Sequence, residues 1–192
     1  MTRTSASAPL ISSTTIGSTI GLVGGTVFVL ANRSALPGHW STAALVAWLV
    51  ALAAAVYSIY VLRVERRPDA APSRWAGPIY LGSCLAMIAL IAAGSAVLRA
   101  RGQGDAVPAL IALAVGLHFI PFSRAFGLDF FTRLGIALST IGAVGLVLAL
   151  TWTLTAAATA AVLAGLVMTA MIAAGAVTAP RTAGAVTAAD SR

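Results

Sequence analysis

Residues 41–62 form a stretch of 22 positions without one charged side chain, and this stretch limits the chain's possible folds more than any other feature. At about 1.5 Å per residue, a helix of that length covers the ~30 Å hydrocarbon layer of a bilayer. Five further apolar stretches lie at about 14–31, 76–98, 106–122, 134–152 and 156–177. Only 9% of the 192 residues are charged and 59% are hydrophobic. A soluble domain carries roughly 25% charged residues because water must wet its surface. The expected fold is therefore all-α: a polytopic bundle of six transmembrane helices over residues 14–177. Residues 1–13 and 178–192 read as polar or low-complexity tails, the second repeating Gly-Ala-Val-Thr-Ala at 175–179 and 184–188.

The net charge of +7 comes from twelve arginines with no lysine. They sit in short loops between apolar stretches and not along one folded face, which argues against nucleic acid as a partner. Their distribution orients the bundle. Nine fall in the N-terminal tail, the 63–74 loop, the 123–133 joint and the C-terminal tail; three (Arg33, Arg99 and Arg101) fall in the opposite loops. Under the positive-inside rule this places both termini in the cytoplasm. Arg63, Arg66, Arg67 and Arg74 are candidates for contact with anionic lipid head groups, at about 1 kcal/mol per residue near the surface.

Within the first span, Gly17, Gly21 and Gly25 recur at spacing four and present one smooth helix face. The expectation is a packing face, with homo- or hetero-oligomerisation through it as one use. Val29-Leu30-Ala31 offers a signal-peptidase pattern, but a single Arg3 in the preceding region favours a retained helix. Pro78 and Pro108 fall early in spans three and four, where a missing N–H is harmless. The threonine-rich residues 151–155 imply a tight hairpin between spans five and six.

The unusual chemistry is concentrated between Gly116 and Arg133, which hold one of two histidines and five of six phenylalanines. His118 is expected about one turn inside the cytoplasmic end of span four. Pro121 removes a backbone donor and is expected to loosen or kink the last turn. Gly127 suits a left-handed helix end. Asp129 is expected to cap span five and to stand in the better order for an ion pair with Arg133. Phe119, Phe122, Phe126 and Phe130 would form one aromatic ridge if the segment stays helical. The candidate ligand or proton site is accordingly His118, Pro121, Arg124, Asp129 and Arg133, since ionisable groups inside a membrane are costly. The competing reading makes His118 a partner of water or of a freed carbonyl, and the other charges interfacial anchors.

Sharper mechanisms fail on inventory. His39 lies in the opposite loop and does not pair with His118 for bis-histidine haem. Cys84 is the single cysteine, so neither a disulfide nor a thiolate zinc site is available. No carboxylate lies mid-span for a proton-driven pump. Ser83 lacks the nucleophile-elbow spacing, although contact with His118 is compatible with its position. No cofactor and no metal are expected, and no catalytic residue is assigned.

The string Gly116-Leu117-His118-Phe119-Ile120-Pro121, followed by Arg124 and Phe126, resembles a G-L-H-F-x-P segment of uncharacterised bacterial multi-pass membrane proteins. The resemblance covers about twenty residues and the general spacing of spans. It implies an all-helical fold in the bacterial inner membrane and brings no activity with it. Two functions are compatible with the residues. One is a non-enzymatic membrane component: a subunit, scaffold or chaperone of an assembly. The other is a small transporter or permease with a site or gate at His118 and Pro121.

Overall fold

The computed structural model describes residues 13–61 and 73–177. The tails at 1–12 and 178–192, and the loop holding Arg63, Arg66 and Arg67, lie outside the described residues. Among those described the chain is all-helical: α1 (Ser13–Asn32), α2 (Trp40–Val56, continued by a π-turn at Tyr57–Val61), α3 (Ala76–Ala100), α4 (Val107–Phe126), α5 (Asp129–Thr151) and α6 (Thr155–Val177). Five stretches are long and apolar enough to cross a membrane: Trp40–Val61, Ala76–Ala100, Gly104–Phe126, Asp129–Thr151 and Thr155–Ala174.

α3, α4, α5 and α6 each run antiparallel to the next, and small residues decide where they touch. Gly116 on α4 faces the backbone of Ser139 and Gly135 on α5, while Gly142 on α5 lies directly against the backbone of Leu113 and Ala109. A methyl group at either glycine would collide with main chain, which cannot swing aside as a side chain does. One turn further along, Gly145 meets Ala160 of α6 across an equally close gap. Short approach matters here because helices in lipid associate through van der Waals contact; lipid tails are as apolar as leucine.

α6 is the centre of the bundle. It packs against α1, α2, α4 and α5, and 61% of its span is buried. Its inner face is mostly alanine, with Ala157, Ala161 and Ala164 at zero exposure. Thr169, equally buried, satisfies its hydroxyl on the carbonyl of Gly165 one turn back (2.9 Å). α3 is the opposite case: it packs on α4 and only 6% of its span is buried.

The glycine face of α1 is used inside the chain. Gly25 lies over Gly165 and Thr169 of α6, and Gly21 over Ile172. Among the described residues, a methyl group at Gly17 would meet nothing within 4 Å. At the same end, the hydroxyls of Thr19 and Tyr60 hydrogen-bond at 2.9 Å, clasping α1 to the π-turn that ends α2.

Two boundaries differ from the sequence expectation. Span four does not end at residue 122: α4 continues through Pro121 to Phe126, where Gly127 stops it with φ 63° and donates its N–H to the carbonyl of Ser123. The loss of one donor at Pro121 is offset by packing on α5, and Ser123 reinforces the turn by donating its hydroxyl to the carbonyl of Ile120 (2.8 Å). Asp129 does not cap α5 as its preceding residue. Leu128 takes that position without a side-chain cap, and Asp129 opens the first turn, where its charge still complements the helix dipole.

Gly116→Ala and Gly142→Ala should each lower the thermal midpoint in mild detergent, by an overpacking cost on the order of 1–3 kcal/mol. Gly82→Ala has open space around it and should be neutral or stabilising by up to ~1 kcal/mol, since alanine is the better helix former. Equal melting of all three variants would show that backbone approach is not what joins α4 to α5.

Candidate functional site

Because α4 continues to Phe126, His118 lies eight residues from its end, about 12 Å along the axis and two turns in, not one. It also points away from α5. Gly116, two residues earlier, faces α5, and two residues rotate a helix by roughly 200°, so His118 faces α3. The imidazole is half-buried and reaches the backbone carbonyl of Ser83 on α3. Its Nδ1 is buried with no hydrogen-bond partner among the described residues.

α3 meets it with a polar patch at one helix face: Tyr80, Ser83 and Cys84, at spacings of three and four. The Tyr80 ring stands edge-on to His118 (centroids 6.2 Å) and to Phe122 (5.6 Å). The Tyr80 hydroxyl hydrogen-bonds the Cys84 thiol one turn on. Ser83 donates its hydroxyl to the carbonyl of Tyr80 (2.9 Å). The serine therefore meets His118 through its carbonyl, with the hydroxyl committed elsewhere; this is not a nucleophile paired with a base.

Aromatic rings close the other sides. Phe119 and Phe122 lie 5.4 and 6.1 Å from His118. The expected ridge forms along α4, with Phe122 and Phe126 only 4.5 Å apart. The ring that locks it to α5 is Phe131, stacked on Phe119 (5.6 Å) and edge-on to Phe122 (4.6 Å), while Phe130 lies beside Phe131 at 5.4 Å. Below the rings, the hydroxyls of Ser123 and Thr132 join the two helices at 2.6 Å. Tyr80, Phe131, Ser123 and Thr132 were missed in reading the sequence. A signal existed for the first, since Tyr80, Ser83 and Cys84 share one face of a helix that is otherwise apolar around them.

The remaining candidates stand apart from the imidazole. Pro121 is partly buried on α4. Arg124 is exposed in the last turn of α4, and Asp129 and Arg133 are exposed in the opening turns of α5. Arg124 favours the carbonyl end of its helix and Asp129 the amide end of the next. The start of α3 is tied to this region, since the Ser73 N–H donates to the Ala125 carbonyl (2.9 Å) and Arg74 lies over the Trp75 ring at 5.5 Å. Among the described residues no group of three or more His, Cys, Asp or Glu side chains could hold a metal ion.

Trp48 Nε1 and Ser139 Oγ are also buried without a partner among the described residues. Ser139 is pressed against Gly116 at the closest point between α4 and α5, which leaves no room for a ligand. The His118 seam differs because its partner helix, α3, is held from one side only.

Ser83→Ala should leave the environment of His118 unchanged, because the carbonyl and not the hydroxyl meets the ring. Tyr80→Phe should lower the rate at which a lipid-soluble maleimide labels Cys84, because the reactive thiolate loses the phenol that donates to it. The check is labelling kinetics in membranes together with the His118 imidazole NMR signal. A displaced signal in Ser83→Ala would restore the serine as a functional partner.

Comparisons of the chain with protein-family models, with characterised proteins and with solved structures find no match.

Proposed function

We propose that this protein is a six-span component of the bacterial inner membrane, with both termini cytoplasmic, that serves a larger membrane assembly as a subunit, scaffold or chaperone and not as an enzyme. The observation that carries the reading is α3, which has 6% of its span buried against 28–61% for the other spans except α1. Leu81, Leu85, Ile88 and Val97 are all more than half exposed along it, a full-length apolar surface suited to a partner helix. The antiparallel packing of α1 against α6 supports α1 as the sixth crossing and supports termini on one side. The arginine bias supports that side as the cytoplasm. Trp40, Trp75 and Trp152 stand exposed at helix ends, as interfacial anchors do.

Oligomerisation through span one would use the face opposite its glycines, where Ile20, Val23 and Val27 are exposed. Anionic head groups at Arg63, Arg66, Arg67 and Arg74 remain part of the proposal. A second reading is a small transporter, favoured by one observation: His118 bonds across the seam to a helix held on one side, an arrangement able to open.

Photo-crosslinking from Leu85 or Ile88 in native membranes tests the assembly. The expected product is a discrete protein adduct, reduced when the same probe is placed on α6 at Ala164. Lipid adducts alone would overturn the assembly and leave the transporter. For topology, reporters fused after Arg192 and within the 101–104 loop should read cytoplasmic and external respectively; the reverse result would refute the orientation.

A further inference from the structure

We propose that the α3–α4 seam at His118 binds the phenolic hydroxyl of a membrane-dissolved aromatic lipid of the quinol class, with His118 accepting its hydrogen bond. The proposal is independent of the assembly reading and rests on three features of the seam.

The first is the unmatched chemistry of the imidazole. A neutral imidazole has one N–H donor and one lone-pair acceptor. The Ser83 carbonyl accepts from the donor, and a carbonyl has nothing to offer the other nitrogen. That donor is Nε2–H, because Nδ1 is buried with no hydrogen-bond partner among the described residues, and this tautomer leaves Nδ1 as the acceptor. A buried polar atom left unsatisfied is costly, and the complement it needs is a donor. Ser83 is not available as that donor, because its hydroxyl is engaged by the Tyr80 carbonyl.

The second feature is depth. His118 lies about 12 Å from the end of α4, and Cys84 an equal number of residues from the start of antiparallel α3. With both helices crossing a bilayer, a site two turns from their ends favours a ligand whose polar group is uncharged. The third is shape. The rings of Tyr80, Phe119 and Phe122 surround the imidazole at 5.4–6.2 Å with inclined planes, geometry that receives a planar ring by edge or offset contact. Tyr80 is 44% exposed, so the ring that covers the imidazole is uncovered on its outer side, and a membrane-dissolved ligand would reach Nδ1 by displacing it. An oxidised quinone presents carbonyl acceptors and cannot satisfy the acceptor nitrogen; the reduced form can.

The test uses the full chain in nanodiscs with isotope-labelled histidine, titrated with a short-chain benzoquinol held reduced by ascorbate. The His118 imidazole signal should move and that of His39 should not. The matching benzoquinone, and an aliphatic alcohol of equal chain length, should each bind at least about tenfold more weakly. Tyr80→Leu, which keeps the His118 signal readable, should weaken quinol binding by roughly 2–10-fold through loss of the ring contact. His118→Phe should abolish retention of the quinol by nanodiscs above that of empty ones. An unmoved His118 signal overturns the site. A quinone response equal to the quinol's overturns the acceptor role, and an equal response to the aliphatic alcohol overturns the aromatic class.

Discussion

The structure depends on how closely two helix backbones can approach where apolar burial gives no advantage. In water, α4 and α5 would be driven together by their leucines; in hydrocarbon those leucines are equally content against lipid. What remains is dispersion between atoms in contact, and that grows with the number of atoms brought within reach. Gly116, Gly135 and Gly142 remove the side chains that would hold the backbones apart, and Gly145 does the same towards α6. Phe119 and Phe122 join the α4–α5 pair through Phe131 of α5, while His118 is turned away from it towards α3.

α3 depends on that pair without contributing to it. It is fastened near one end by Leu110 against Gly94 and by Leu98 in the apolar cluster around Ala106 and Ala149, and at the other by the Ser73–Ala125 hydrogen bond. Between these points it presents Tyr80, Ser83 and Cys84 to His118. A helix so fastened suits either a surface for a partner or a seam that admits a ligand, and the two uses occupy different faces of α3. The exposed leucines belong to the first proposal, and the polar patch facing α4 to the second.

The spans were legible because apolar length is a one-dimensional property: a helix crossing a bilayer needs about twenty residues without charge, and five such helices stand in the structure. Gly127 was legible for a similar reason, since a positive φ at a helix end favours glycine whatever surrounds it. Pro121 was not. Its local effect is to remove a donor, but whether the helix ends there depends on neighbouring helices, and here α5 carries α4 one turn further. Asp129 stands one residue inside α5, because the exact backbone entry into a helix is set by the turn before it. Phe131 and Phe130 were exchanged in role because they lie past a turn, where helical spacing no longer predicts which ring faces back.

The sequence alone determined that the described part of this chain is helical, where its apolar stretches lie and that its chemistry gathers around His118. These follow from the cost of charge in hydrocarbon and from the local preferences of glycine and proline. Only the tertiary structure decided what His118 meets. The glycine contacts turn α4 so that one face lies against α5 and the histidine faces α3, and the antiparallel run of α3 brings Tyr80 and the Ser83 carbonyl to the same depth. Residues more than thirty positions apart in the chain thus share one seam, because helix rotation and register are set by packing between backbones and not by any local pattern.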